Sequence, residues 1–429
     1  MSCILRKFLK IVANFAENHF LCEKSLRMLI NFTVGNFLSF RDKKTLSLEA
    51  SSIKDAGSQV IKTGNLQLLP SAAIYGANSS GKSNFLSALG ALSSIVNSSA
   101  SSSSVSRLAV LPFLLDDSSE NEPCFFEIEA MTPTLSHYRY GFECTQSTVV
   151  REWLYRVGSR SEKCLFIREG DEIGVMPAFA EGKGLEVKTR DNALFLSVCD
   201  SFNGSVAKEL VRCIVTPPLP DNPKELFDIQ IPFIQRMAET YPDEISKVFK
   251  NLDFSFTSFE VPSSKEEAQN VKAWTTHNIY DRAGNIIGSK RFPMSTFESA
   301  GTNRLFDLIF LITKALASGS PLVIDEIDRT MHPLITKYVI GLFNNAKTNP
   351  KGAQLVFTTH DTNLLSPNIF RRDQIWFVEK DKTEASDLYC LAEFKDADGV
   401  KVRNDRSFEK DYIQGRYGAI PYLNYEWED

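Results

Sequence analysis

The 429-residue sequence holds eight cysteines and five histidines, yet no Cys-x-x-Cys pair and no close Cys/His grouping. Neither a zinc site nor a disulfide framework is therefore indicated. Cys124, Cys144 and Cys164 are evenly spaced, an interval that reads as coincidence, and the thiols read as buried free cysteines of a reducing compartment. No apolar run reaches the roughly eighteen residues of a spanning helix, so the chain reads as cytoplasmic with no membrane partner. Runs of five or more basic residues are also missing, and the net charge is -5. Direct nucleic-acid binding gains no support from charge, although a local basic face can sit inside an acidic total. No Ser/His/Asp triad and no nucleophilic Cys/His pair stands out.

What is present is a hydrophobic content of 43%, enough for a packed interior, and one stretch of dense chemistry, "YGANSSGKSN". From Gly76 to Ser83 it has the spacing G-x-x-x-x-G-K-[ST]. The small apolar run "LLPSAAIY" precedes it, and the helical period of Phe85, Leu86, Leu89, Leu92 and Val96 follows. In that context the backbone of Gly76, Ala77, Asn78, Ser79, Ser80, Gly81, Lys82, Ser83 and Asn84 forms a phosphate cradle. Lys82 neutralises phosphate charge, and Ser83 offers a hydroxyl to Mg²⁺.

Three later segments complete a nucleotide-hydrolysing set. "PLVIDEID" is an apolar strand ending in two carboxylates. Read as buried, they call for a cation, with Asp325 in the Mg²⁺ shell and Glu326 as base or orienter of the attacking water. "LVFTTHDTNLL" repeats the design and puts His360 at a strand's carboxyl end, in reach of a γ-phosphate. In "ESAGTNRLFDLIF", Ser299 and Gly301 open a helix, a second phosphate-binding N-terminus. Since the first cradle already serves one nucleotide, the second is best used on the nucleotide of another copy, which implies two ATPs between two heads.

Around these motifs, residues 28–190 read as strands with the phosphate loop and an antiparallel β lobe, interrupted by the serine-rich loop at 97–106. Residues 191–275 read as a helical insertion and return strands, and 276–429 as alternating strands and helices of an α/β core. Residues 1–27 have helical spacing in Ile4, Leu5, Phe8, Leu9, Val12 and Phe15. They read either as a docking amphipathic helix or as an upstream reading of the gene ahead of a start at Met28. Gln146 falls in the β lobe but in no recognisable motif, so no Q-loop glutamine is assigned.

The order GANSSGKS, ESAGT, VIDEID and TTH resembles the ABC-type ATPase heads of the SMC, RecF and OLD-nuclease group. Within it, the chain resembles the single-chain AAA-family ATPases of phage-defence systems, the PARIS, Septu and abortive-infection types. "PFLLD", "YGFE", "EWLY", "NALFLS" and "GRYGAIPYL" share that family's look. The resemblance implies a fold of the α/β class, an ABC-type P-loop ATPase head with an antiparallel β lobe and a short helical insertion. It implies ATP and Mg²⁺ as ligands; Lys82, Glu326 and His360 as catalytic residues; Ser83 and Asp325 as metal residues; and Ser299 and Gly301 as the signature loop contacting ATP across a dimer. "ESAGT" departs from the transporter form of that loop. Asp328 sits where the family's dimer-contact loop begins.

The partners so implied are a second copy and a separate nuclease or toxin effector, with a phage-derived trigger. The alternatives are a RecF-like DNA repair or recombination ATPase and an OLD-like nuclease. Glu379, Asp396 and Asp398 offer a nuclease-like acidic set, but a strand followed by a hairpin turn is the better reading.

Overall fold

The computed structural model describes residues 27–55, 60–214, 256–260, 262, 273–396 and 399–421. The expected N-terminal helix, the segment "FIQRMAETYPDEISKVFKNL" and Asp398 lie outside these residues. Among the described residues, no helix is long and apolar enough to cross a membrane.

The N-terminal strand β1 (Met28–Gly35) is buried except at the half-buried Asn31 and Thr33, and pairs antiparallel with β2 (Lys44–Ser47). A small hairpin, β3 (Ile61–Thr63) and β4 (Leu66–Leu68), leads into β5 (Ser71–Tyr75), which is buried throughout. Helix α1 (Lys82–Ser98) follows the glycine loop. The meander β6 (Cys124–Met131), β7 (His137–Cys144), β8 (Val149–Val157), β9 (Glu162–Glu169) and β10 (Glu172–Val175) joins β1 and β2. Together they form one seven-stranded antiparallel sheet of order β10-β9-β8-β7-β6-β1-β2. Cys164 lies opposite Tyr155, whereas the register of β6 on β7 sets Cys124 opposite Cys144. Both thiols are free and buried, and burial pushes the Cys124 thiol up to about 12.

Helices α2 (Phe195–Ser201) and α3 (Ser205–Ile214) come next. After them a three-stranded sheet forms from β11 (Ser258–Glu260), β12 (Trp274–Tyr280) and β13 (Ile286–Pro293). The short α4 (Met294–Phe297) precedes α5 (Ala300–Ser318), which is N-capped by Ser299 and ended by Gly319 in the left-handed conformation at φ 71. Then follow β14 (Leu322–Ile324), α6 (Pro333–Phe343), β15 (Leu355–Thr358), β16 (Ile375–Lys380), β17 (Ser386–Cys390) and α7 (Phe408–Ile413). The central sheet has the order β14-β15-β5-β16-β17; its first four strands are parallel, and only the edge strand β17 runs against them. The fold is thus an α/β core with an antiparallel β lobe.

The period of two along β5 decides how the layers stack. Ala72 and Ile74 face α1 and the antiparallel sheet, in one cluster with Phe32, Phe40 and Phe85. Ala73 and Tyr75 face the other way, in a cluster with Phe306, Ile340 and Phe377. Helix α1 is therefore covered on both sides, and the Phe85 ring meets Phe32 and Phe40 edge-on at 5.4 and 5.6 Å. Each such buried ring contributes about 1.5–3 kcal/mol, which holds the glycine loop's helix rigidly between the sheets.

Several motifs of the resemblance have structural reasons. Gly141 of "YGFE" lies under the Trp153 ring of "EWLY", where a Cβ would stand 2.5 Å from that ring. Glu152 of "EWLY" is fully buried and accepts hydrogen bonds from the N–H groups of Phe195 and Leu196 in "NALFLS" and from the Tyr140 hydroxyl. In "GRYGAIPYL", the Ala419 N–H donates to Glu379 at 2.8 Å, and a Cβ on Gly418 would stand 2.5 Å from the same carboxylate. Asp396 accepts from Val400 N–H in its own hairpin turn.

Candidate functional site

All four parallel strands deliver polar groups at their carboxyl ends, where an α/β sheet presents its ligand crevice. Strand β5 leads into the Gly76–Ser83 loop, β14 into Asp325 and Glu326, β15 into His360, and β16 ends at Lys380. A cleft of about 340 Å³ is lined by Asn78, Ser79, Ser80, Gly81, Lys82, Ser83, Asn84, Glu326, His360 and Lys380.

The loop's two glycines are required by close approach. A Cβ on Gly76 would lie 2.3 Å from the Val378 carbonyl oxygen of β16. Gly81 caps α1 at φ 116, and a Cβ there would lie 2.2 Å from Ser386 Oγ and 2.8 Å from Ser39 Oγ. The Ser386 hydroxyl donates to the Ser80 carbonyl at 2.6 Å, and the Ser386 N–H donates to the Ser39 carbonyl. Asn84 Nδ2 donates to Ser39 Oγ at 2.8 Å. Strand β17 and the turn after β1 thus brace the loop from outside.

Lys82 is buried, and its ammonium donates to the carbonyls of Gly76 (2.8 Å) and Ala77 (2.9 Å). Burial lowers its pKa, against the opposing pull of Asp325, Glu326 and Asp328. His360 is also held below its usual range, first by burial and then by the Lys82 charge, which favours the neutral imidazole. Its backbone N–H donates to Asp328 Oδ2 at 3.3 Å.

The two carboxylates after β14 are half-buried, with 43% of the Glu326 side chain exposed, so the expectation of two buried acids needs correction. They stand at the mouth of the crevice because β14 is the sheet's edge strand, and solvent carries part of their charge. Their aim is set by Thr358, the last residue of neighbouring β15. Its hydroxyl donates to Asp325 Oδ1 and accepts the Glu326 N–H at 2.7 Å. Glu326 itself adopts φ 46, a left-handed conformation that is costly for a side-chain-bearing residue and marks a constrained position.

Replacing Thr358 with Val removes both bonds while keeping the volume. It is expected to cost about 1–3 kcal/mol in denaturant unfolding, with Thr358→Ser restoring the stability.

The residues present suit a nucleotide phosphate. Ser80 Oγ is buried without a hydrogen-bond partner among the described residues, within the glycine cradle and beside the buried lysine. Ser83 is exposed in the cleft, whereas Asp325 is half-buried and does not line it. No group of three metal-type side chains occurs among the described residues. Mg²⁺ held by Ser83 and Asp325 would therefore complete its shell with phosphate and water, as this ion commonly does.

Ser299 and Gly301 do not line this cleft. Ser299 is exposed and its Oγ accepts the Thr302 N–H at 3.1 Å as the α5 N-cap. Gly301 packs against the loop that follows the acidic strand, where a Cβ would stand 2.6 Å from the Thr330 carbonyl oxygen. Arg304, one turn on, donates to the Asp325 carbonyl at 3.3 Å. Gln146 sits apart in the β7–β8 turn, donating to the Val110 carbonyl.

Sequence reading missed Thr358, Ser39, Ser386 and Lys380. Thr358 stood inside the quoted motif "TTH", but nothing in a linear pattern says which strand lies beside which.

Structurally, the chain is similar to the SMC head domain from Thermotoga maritima, at 12% identity and a TM-score of 0.39, over 84% of this chain and 98% of that one. It is similar also to the Smc head domain with an extended coiled coil bound to the C-terminal domain of ScpA, derived from Pyrococcus furiosus, at 12% identity and a TM-score of 0.41, over 85% and 96%. The recombination mediator protein RecF with ATP, in the RecFOR pathway, matches at 13% identity and a TM-score of 0.31, over 78% and 93%. No curated protein matches the sequence. A family model described as "AAA domain, putative AbiEii toxin, Type IV TA system" matches residues 71–197 and 219–366, more than half the chain and including the glycine loop, the acidic strand and His360. The chain belongs to this family of AAA-domain proteins.

Proposed function

We propose that the chain is a cytoplasmic Mg²⁺-dependent ATPase with an ABC-type head that pairs with a second copy around ATP and controls a separate nuclease or toxin in defence against phage. One observation carries this reading. The glycine loop, Glu326 and His360 share one cleft, while the second helix opening lies outside it, with Ser299 exposed and Gly301 half-buried beside it. In this reading residues 28–190 and 276–429 are the two parts of the head.

In the proposed chemistry the backbone of Gly76–Asn84 and the Lys82 ammonium hold the triphosphate, and Glu326 takes the proton of the water that attacks the terminal phosphorus as the bond to ADP breaks. The neutral His360 imidazole donates a hydrogen bond to the terminal phosphate. Mg²⁺ on Ser83 and Asp325 would neutralise phosphate charge. Gly301 and Arg304 tie the partner-facing helix α5 to the backbone that carries the acids. Docking of a second copy at α5 would thereby reach Glu326 through contacts already formed. The family description, a putative toxin of a toxin–antitoxin system, supports a role beside a toxic activity.

Light scattering of the full chain is expected to show dimers with ATP and Mg²⁺ and monomers without. Ser299→Arg should abolish the dimer while keeping ATP affinity per chain within about threefold, and Ser299→Ala should cost only about 1 kcal/mol of cap stability. Dimers that persist in Ser299→Arg would overturn the assignment of this surface. Co-purification with the product of the neighbouring gene tests the effector.

A further inference from the structure

Three of the four parallel strands end in groups with an assigned task; the fourth, β16, ends in Lys380. Its position follows from register. Ile375–Phe377 of β16 pair with Ala73–Tyr75 of β5, so the remainder of β16 runs beside the start of the glycine loop, where the Val378 carbonyl closes on Gly76. Trp376 and Val378 belong to the cluster around α1, whereas Ile375 and Phe377 face the opposite side. By the period of two, Lys380 shares the α1 side, the side on which the helix N-terminus meets a phosphate. Across the hairpin Lys380 pairs with Ser386, whose hydroxyl holds the Ser80 carbonyl of the loop.

The ammonium of Lys380 meets Glu384 Oε2 at 3.2 Å in an i,i+4 pair whose side chains are 32% and 67% exposed. A pair this open contributes little and is readily exchanged for another anion. The cleft's electrostatics favour that exchange. The positive charge of Lys82 is already offset by Asp325, Glu326 and Asp328, so a polyphosphate entering the cleft gains a second cationic partner when Lys380, which lines the same cleft, turns toward it.

We propose that Lys380 is a second phosphate-binding lysine, which leaves Glu384 to bind the polyphosphate of a nucleoside triphosphate from the β16 side of the cleft. The proposal rests on the reading of this cleft as the ATP site. It makes Glu384 a placeholder that holds Lys380 beside the loop when no nucleotide is bound.

The test is equilibrium binding of fluorescent ATP and ADP analogues to the full chain with Mg²⁺, for Lys380→Met, Lys380→Arg, Glu384→Gln and Lys82→Ala, with a thermal melt of each variant to confirm folding. Lys380→Met is expected to weaken ATP binding about tenfold to a hundredfold, the range of a lost charge-assisted hydrogen bond. Lys380→Arg should stay within about threefold of the parent, and Glu384→Gln should bind ATP as tightly or tighter. A loss confined to ATP puts the contact on the terminal phosphate, and equal losses for ATP and ADP put it on the shared phosphates; both support the proposal. Lys380→Met that is folded and binds ATP like the parent, while Lys82→Ala does not bind, overturns the Lys380 contact and leaves the ATP site standing. A parent chain that binds neither nucleotide overturns both.

Discussion

Replacing Glu326 with Gln is expected to slow ATP turnover by about 10²–10⁴-fold, the usual contribution of a general base, without loss of ATP binding. The substitution is nearly isosteric, and the structure explains why it leaves the site's frame intact. Glu326 is fixed through its backbone, by its N–H on the Thr358 hydroxyl and by its φ of 46, and neither depends on the carboxylate. The exposed contact with Arg329 at 3.8 Å is a surface pair of small value. What Gln removes is the proton acceptor facing the cleft. Phosphate-release assays should record the fall in rate, and light scattering should find dimers that persist long after ATP is added. Unchanged turnover would remove Glu326 from the reaction and, with it, the proposed timing of the dimer.

Gly81→Ala is expected to destabilise the fold by about 2–5 kcal/mol and to abolish ATP binding. Two costs combine here. At φ 116 an L-residue is strained whatever the space around it, and a Cβ meets Ser386 Oγ at 2.2 Å and Ser39 Oγ at 2.8 Å. Those hydroxyls hold the Ser80 carbonyl and Asn84, so relief by moving them would release the loop that cradles phosphate. Gly170→Ala separates the costs, because Gly170 has φ 59 with nothing within 4 Å of an added Cβ. It should lose only about 1 kcal/mol. Denaturant unfolding and nucleotide binding of both variants check the pair, and equal losses in the two would show that the crowding at Ser386 and Ser39 is without effect.

The parts of the site that were legible are contiguous. Gly76 to Ser83 can be read because the cradle is built from one loop's backbone and the helix that follows it, and the strand before and the helix after announce themselves by local period. The placement of Asp325, Glu326 and His360 just after β14 and β15 follows from the same local logic, an apolar strand ending in polar residues. Ser299 was legible as a helix opening and is the N-cap of α5.

Errors and omissions have one source, the order of the strands. The sequence has β5 first and β14, β15 and β16 much later, while the sheet inserts β5 between β15 and β16. That permutation brings Lys380 and Ser386 to the loop and leaves the acids at an edge, half-exposed rather than buried, while Thr358 reaches the Asp325–Glu326 pair because β15 pairs with the preceding strand β14.

Local chemistry in the amino-acid sequence thus determined the phosphate loop, the acidic strand, the alternation of an α/β core and the helix cap at Ser299, because backbone geometry and side-chain period act over a few residues. Tertiary structure alone decided that these pieces share one cleft, that Thr358 aims the carboxylates, that Lys380 joins Lys82 there, and that Ser299 and Gly301 stand outside it. Those outcomes depend on pairing between separated segments, from Ile324 with Phe357 to Phe357 with Ala73, and such pairing is selected by the packing of whole layers rather than by any local pattern.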